Sequence, residues 1–510
     1  MFVPPSRRLV ALVLLCPFVV LAASPPRPDA FVSTQVLYGQ PLPDPTQFGG
    51  NVAVDGDWAI LSNEHVPGSA DLPTVAAYRR TADGWVFVEY LERTSPHPDD
   101  GFGESLALQG DTAVVGSYYH RGGGRDSVRV FVRSGTHWTE QATLRPGDLG
   151  DGDIFGAAVA IDRDTILVGS ALHSAAAPRG AAYVFVRNGV AWTEQAKLVA
   201  SDADDGAEFG FSVALAGDVA VVGANNEAYG GTLSAGAAYV FERSGGTWTQ
   251  RQKLVADRAT SGGYFGISVA LRDDTLLVGS LADLTASNVV DGTVYVFGRT
   301  TSGWTPQARL RAGDVGLAQQ ASYFGRQLAL GDDLAVVGAG RAPASGVQDA
   351  GAAYVYVRGA NGWTHQSTLT STEPGVGFAF GANSMGLSGH TLFVNESMGQ
   401  VLVQRPARET IFENLALPTR TAITALEPVL VQQGQDVVVR VSVTSGSGTP
   451  TGTVVVDDGH GDTCTVDLAL ADRCMLRAGW SPPPTPPWFD PGGPVPLTAT
   501  YTPRGPVAYL

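Results

Sequence analysis

Lysine is almost absent from this chain, in which Lys197 and Lys253 are the only two among 510 residues. The formal net charge is −16. A nucleic-acid partner would need a basic stripe, and an anionic bilayer would need a basic patch. The sequence has neither, so we expect no nucleic-acid partner and no binding to a membrane surface. An acidic surface of this kind is typical of a soluble, secreted protein.

Motifs of common enzyme classes are missing as well. The eight histidines form no His-Glu-x-x-His pair, and there is no Gly-x-Ser-x-Gly elbow and no phosphate-binding loop. The sequence therefore predicts a protein that is not an enzyme. A catalytic site assembled from scattered loops would leave no such motif, so a hydrolase stays open as an alternative.

Cysteine is scarce, with three in the chain. Cys16 lies in an apolar run, residues 9–21, that follows two arginines and ends in two alanines, which is the pattern of a secretory signal peptide over residues 1–23. The run is too short for a transmembrane helix. We expect the mature protein to be secreted, or to lie at the cell surface or in the periplasm. There the two remaining cysteines, Cys464 and Cys474, would form a disulfide, with free thiols as the alternative.

A Phe-Gly pair recurs seven times at steps of 53 to 59 residues, starting at Phe48, Phe102, Phe155, Phe209, Phe265, Phe324 and Phe380. Self-similarity at a fixed period indicates a repeat architecture. In the fourth copy, apolar runs at 209–215, 219–224, 236–241 and 247–254 are separated by Gly, Asp and Ser turns. Four short strands in each copy predict an all-β fold, a β-propeller over residues 30–406.

The copies contain only six fourth-strand tryptophans, at Trp85, Trp138, Trp192, Trp248, Trp304 and Trp363. The last copy ends at Val401–Val403 without such a strand, whereas residues 33–37, ahead of the first Phe-Gly, are similar to one. We therefore predict a seven-bladed propeller whose ring is closed by the N-terminal strand. We expect the Phe-Gly and tryptophan residues to pack between blades, and the glycine after each second strand to mark a bend or a close backbone approach.

These repeats resemble the bacterial FG-GAP repeats, which share the Phe-Gly, Val-Ala-Leu-x-Gly-Asp and Val-Val-Gly-Ala elements and are related to the propeller of integrin α subunits. The resemblance implies an extracellular binding or adhesion module. Integrin-type repeats hold calcium between their first two strands, but here that joint, as at Leu215–Asp218, is too short. Acidic residues ahead of two Phe-Gly pairs are either solvated turn residues or a weak calcium site: Asp148, Asp151, Asp153, Asp202, Asp204 and Asp205. We expect no other cofactor.

A second domain follows a predicted linker at residues 407–421. Residues 422–510 contain apolar strand patterns at 437–443, 452–456 and 497–501. The segment around 450–459, together with the closing Thr-Ala-Thr-Tyr, resembles bacterial immunoglobulin-like domains. This resemblance implies a small β-sandwich of about the expected size.

Ligand recognition is expected on one face of the propeller. The loops between second and third strands and those between blades are long and variable and should emerge together, and such loops on a rigid scaffold commonly carry recognition. Candidate residues are Tyr118, Tyr119, His120, Arg121, Asn225, Asn226 and Tyr229, which offer aromatic and amide groups suited to a protein or a glycan. We predict a monomeric adhesion module. The alternative is a structural envelope or matrix protein without a specific ligand.

Overall fold

A computed structural model of the chain describes the strands and most of their connections. The described residues are 32–38, 48–63, 74–97, 101–118, 126–150, 152–172, 179–284, 290–312, 323–371, 374, 379–389, 391–396, 408–413, 420–427, 436–444, 452–457, 463–467, 473–477 and 498–503. The predicted signal peptide lies outside them. Within these ranges there is no α-helix, and thus no helix that could cross a membrane.

Six groups of four consecutive strands each form an antiparallel sheet, here called blades 1 to 6. Blade 1 contains β2 (Phe48–Asp55), β3 (Trp58–Asn63), β4 (Val75–Thr81) and β5 (Gly84–Tyr90), and blade 2 contains β6 (Phe102–Gln109), β7 (Thr112–Ser117), β8 (Ser127–Ser134) and β9 (His137–Leu144). Blade 3 contains β10 (Phe155–Asp162), β11 (Thr165–Ser170), β12 (Ala181–Asn188) and β13 (Ala191–Leu198), and blade 4 contains β14 (Phe209–Ala216), β15 (Val219–Ala224), β16 (Ala237–Ser244) and β17 (Thr247–Leu254). Blade 5 contains β18 (Val269–Arg272), β19 (Thr275–Leu284), β20 (Val290–Thr300) and β21 (Gly303–Arg311), and blade 6 contains β22 (Gln327–Leu330), β23 (Leu334–Ala339), β24 (Ala352–Gly359) and β25 (Gly362–Leu369). The first strands of successive blades contact one another, so the predicted β-propeller arrangement is confirmed.

A further four-stranded sheet, the composite sheet, joins the two ends of the repeat region. Its strands are β26 (Met385–Ser388), β27 (Thr391–Glu396), β28 (Arg408–Glu413) and the N-terminal β1 (Val32–Tyr38), in the order β1-β28-β27-β26. Strand β28 lies within the segment 407–421 for which we predicted a linker, and it pairs there on both sides. Residues 401–403, where we expected the last copy to end, lie outside the described residues.

Phenylalanine of the Phe-Gly pairs fills the space between neighbouring blades. Phe209 is fully buried and packs with Leu167 and Val184 of blade 3 and with Tyr239 of its own blade. The Phe209 and Tyr239 rings meet edge to face with centroids 5.5 Å apart. This is the packing role that the repeat pattern predicts.

A glycine near the end of the second strand in blades 2 to 6 permits a close backbone approach between blades. A Cβ atom on Gly223 would lie 2.1 Å from the carbonyl oxygen of Gly266, which belongs to the Phe-Gly pair of the next blade. The same conflict recurs at Gly169, where a Cβ would lie 1.9 Å from the oxygen of Gly210. No residue other than glycine can occupy these positions without moving the neighbouring blade.

Residues 416–510 belong to a second compact unit, and residues 30–415 form the first. The second unit contains two three-stranded antiparallel sheets. One is formed by β29 (Arg420–Glu427), β30 (Asp436–Thr444) and β33 (Arg473–Arg477), and the other by β32 (Thr463–Asp467), β31 (Gly452–Asp457) and β34 (Thr498–Pro503). Cys464 lies in β32 and Cys474 in β33; their side chains are outside the described part of the structure, so the disulfide stays a prediction.

Candidate functional site: the loop face

The first strand of a blade begins on the side where its second strand ends, and this side is here called the loop face. In blade 4, Phe209 at the start of β14 pairs with Ala224 at the end of β15. The segment that enters the blade and the segment that leaves its second strand are therefore neighbours. The amide of Asn226 donates a hydrogen bond of 3.1 Å to the carbonyl of Ala207, which ties the two segments together. They form a single surface.

The loop at residues 225–235 is held in one conformation by its own backbone. Tyr229 and Thr232 exchange two hydrogen bonds of 3.0 and 2.9 Å, and Gly236 donates to the carbonyl of Glu227 at 2.8 Å. Blade 6 repeats this arrangement, with Ala344 and Val347 exchanging bonds of 3.0 and 2.9 Å. Such loops present their tips without needing to order on binding.

Two apolar side chains stand out from the tip of this loop. Tyr229, a predicted ligand residue, is 43% exposed, and Leu233, which the sequence did not single out, is 71% exposed. Phe211, two residues after the start of β14, is 39% exposed. A lone leucine inside a glycine-rich loop follows no periodic pattern, so sequence reasoning had no signal for it.

The two predicted asparagines lie at the base of this loop. Asn225 is buried, and Asn226 donates through Nδ2 to Oε1 of Glu208 at 2.7 Å. Tyr118 is half-buried, and burial, together with nearby Glu104 and Asp126, raises the pKa of its hydroxyl. Tyr119, His120 and Arg121 lie outside the described residues.

Below the loop of blade 4, a buried carboxylate is paired with one of the two lysines. Glu227 accepts bonds through Oε1 from Lys253 Nζ at 2.6 Å and from the Tyr239 hydroxyl at 3.2 Å, and through Oε2 from the Asp204 amide at 3.0 Å. Lys253 also donates to Asp202 Oδ2 at 3.0 Å. Burial alone would lower the pKa of Lys253, but its bonds to the two carboxylates outweigh this and raise it.

This tyrosine–cation–carboxylate cluster recurs in the neighbouring blades. In blade 3, Asp148 accepts from the Tyr183 hydroxyl at 2.9 Å and from Lys197 Nζ at 2.6 Å. In blade 5, Asp257 accepts from Tyr295 and Arg309. Asp148, Asp202 and Asp257 each follow the outer strand of the preceding blade, so their bonds fasten one blade to the next.

The other calcium candidates are bonded within the protein, exposed, or outside the described residues. Asp153 is buried and accepts from the Gly150 amide at 2.7 Å, and Asp205 is paired with Arg179 at 2.8 Å. Asp204 is exposed, and Asp151 lies outside the described residues. Among the residues that the structure describes, no group of three or more His, Cys, Asp or Glu side chains is placed to hold a metal ion.

Comparison with known families agrees with the repeat plan. Five segments match the FG-GAP repeat family: residues 85–132, 138–185, 192–241, 248–297 and 304–356. No curated protein is similar enough to be matched with the chain. Each matched segment begins at an outer-strand tryptophan and ends within the third strand of the following blade. The chain thus carries FG-GAP repeats that are arranged as a β-propeller.

Proposed function

We propose that this protein is a non-catalytic binding module that recognises a protein or glycan outside the cell through the loop face. The observation that carries the proposal is the loop at residues 225–235, which its backbone bonds hold rigid while Tyr229 and Leu233 stand 43% and 71% exposed. Exposed apolar side chains on a pre-ordered loop gain burial on binding and cost little ordering entropy.

We further propose that the composite sheet is a seventh blade and that β1 closes the ring. Gln35 in β1 accepts from the Trp85 amide at 2.7 Å and donates to the Trp85 carbonyl at 2.8 Å, as Gln252 does with Trp304 at 2.9 and 2.8 Å between blades 4 and 5. Strand β26 of the composite sheet contacts β2 of blade 1. A closed ring would give the loop face a rigid base.

We also propose where the protein is located and how its second unit folds. A signal peptide at residues 1–23 would direct the protein to secretion, the cell surface or the periplasm. The two three-stranded sheets of residues 416–510 support an immunoglobulin-like sandwich. A disulfide between Cys464 and Cys474 would suit an oxidising compartment.

The test is a binding experiment with the full mature protein, immobilised and exposed to envelope and host-surface extracts with calcium or with chelator. We expect a saturable partner whose binding weakens about tenfold or more in the double variant Tyr229→Ala, Leu233→Ala, because hot-spot residues carry most of the binding energy. Val190→Ala is the matched control, since Val190 is 78% exposed but lies in a turn on the opposite face.

Each outcome bears on the proposal. Equal loss in the control and the double variant, or no loss in either, would place recognition away from this loop. A partner that is lost in chelator would show that calcium takes part. Absence of any saturable partner in both conditions would favour a structural envelope protein, and turnover in a glycan and ester screen would favour a hydrolase.

A further inference from the structure

The outer strand of blade 1 differs in chemistry from those of the other blades. In blades 2 to 6 the tryptophan is followed by threonine and then by polar residues or proline: Thr139-Glu140-Gln141, Thr193-Glu194-Gln195, Thr249-Gln250-Arg251, Thr305-Pro306-Gln307 and Thr364-His365-Gln366. In β5 the same three positions are Val86, Phe87 and Val88. The tryptophan itself and the leucine six positions later are kept, so the strand has the same register but an apolar middle.

An apolar edge strand is uncommon in a stable sheet, because its free backbone groups can pair with another chain. Charged side chains and proline normally prevent this, and such residues are present in the other outer strands, for example Glu140, Arg251 and Pro306. Strand β5 pairs only with β4 and forms the edge of its sheet among the described strands. Its middle has no protecting residue.

The side chains of this edge form an apolar surface. Val86 is 40% exposed and Phe87 is 37% exposed. Phe87 lies edge to face against Tyr78, with ring centroids 5.9 Å apart, and packs at a tilt against Tyr90 at 4.9 Å, which fixes its orientation. The one carboxylate of the strand, Glu89, is engaged by the Trp138 amide and by His137 of blade 2. The amide and carbonyl of Trp85 are bonded to the Gln35 side chain of β1. Beyond Trp85 no described strand pairs with this edge, so residues 86–90 combine an edge without a partner strand with ordered apolar side chains.

We propose that β5 is a second binding site, which takes an extended segment of another protein as a fifth, antiparallel or parallel strand of blade 1. Main-chain hydrogen bonds would supply affinity, and Val86 and Phe87, which lie on opposite faces of the sheet, would each favour an apolar side chain on its own face. The chain carries a net charge of −16, so a segment flanked by lysine or arginine is favoured and a second copy of this chain is disfavoured. This site lies on the rim of the propeller and is independent of the loop face.

A synthetic peptide tests the proposal directly. The probe is a fluorescein-labelled strand of alternating valine and threonine, five residues long, with two lysines at each end. We expect saturable binding to the full-length protein by fluorescence anisotropy, with slower amide exchange in residues 84–90. The variant Val86→Thr, Phe87→Glu, Val88→Gln gives β5 the sequence that β9 and β13 already carry, and it should weaken binding about tenfold or more.

Two controls separate the possible results. The same peptide with alternate amides N-methylated cannot add to a sheet, and it should not bind; equal binding of both peptides would overturn strand addition. Unchanged affinity in the β5 variant, with an unaltered melting curve, would place the peptide elsewhere. The double variant Tyr229→Ala, Leu233→Ala should bind the peptide normally, so failure of the loop-face proposal would leave this one standing. Reversible dimerisation that the β5 variant abolishes, seen by sedimentation without peptide, would overturn the assignment to a foreign strand.

Discussion

Single glycines decide how closely two blades can approach. A Cβ on Gly223 would collide with the backbone of Gly266, which cannot move without shifting the next blade. We expect Gly223→Ala to lower the free energy of unfolding by about 1–3 kcal/mol or more, because overpacking at a rigid contact is not relieved by a rotamer change. Urea denaturation measures this loss.

Gly147→Ala is the matched control for that substitution. No atom would lie within 4 Å of a Cβ at Gly147, and its backbone has no left-handed φ. The control should be neutral or slightly stabilising, since alanine reduces the freedom of the unfolded chain. Equal destabilisation by both substitutions would mean that the close approach between blades does not determine the requirement for glycine.

The roles of single residues could be predicted from the sequence where the repeat offers several copies to compare. The burial of Phe209 could be inferred from seven similar Phe-Gly positions, and the close approach at Gly223 from five similar glycines. Asn225 and Asn226 have no such copies; Asn225 is buried and Asn226 is bonded to Glu208, and a part in recognition stays a prediction for both. The partners of Asp202 were not evident, because Lys253 lies 51 residues away, although both lysines occupy the same outer-strand position.

Turns between the first and second strands also link blades, on the side opposite the loop face. Asp162 accepts through Oδ2 from the Gly217 amide of the next blade at 2.6 Å, as Asp55 does from Gly110 at 2.7 Å. Partial burial alone would raise the pKa of Asp162, but hydrogen bonds from Arg163, Gly217 and Gln109 outweigh it and lower that pKa.

This shift predicts how acid affects the link. A lowered pKa in the folded state means that Asp162 contributes stability above its unfolded pKa of about 4, and that the contribution is lost as the pH falls through the lower folded value. Asp162→Ala should therefore be less stable than the natural protein at neutral pH, and the difference should shrink in acid. Denaturation curves between neutral pH and about pH 2 measure it. A difference that stays constant with pH would contradict the prediction.

At the scale of elements, the repeat pattern predicted strands well where a whole copy was intact. The four apolar runs of the fourth copy correspond to β14, β15, β16 and β17. The last copy is degenerate: we expected it to end at residues 401–403, whereas β28 (Arg408–Glu413) lies beyond that point and pairs with β27. Strand β28 pairs with β1, where Gln35 lies opposite Ile411, 376 residues later in the chain. This long-range pairing stabilises a strand that the local sequence does not show.

At the scale of the whole molecule, we propose that β1 acts as the outer strand of a seventh blade. Besides Gln35, a second contact supports this: Arg80 of blade 1 donates to Thr391 of the composite sheet at 3.4 Å, as Arg243 of blade 4 donates to Thr165 of blade 3 at 3.0 Å. The same pair of residue types thus joins blades that are adjacent in sequence and the two ends of the repeat region.

Gln35→Ala and Gln252→Ala provide a matched test of ring closure. Each removes one side chain that makes two hydrogen bonds to a tryptophan backbone in the next blade. If β1 closes the ring, both substitutions should lower the free energy of unfolding by a similar amount, about 1–2 kcal/mol for two partly buried bonds. Both losses should appear in a single cooperative transition, because in a closed ring the seam at β1 is stabilised by the same neighbours as any other. A cost at Gln252 with none at Gln35 would mean that the ring is open at β1.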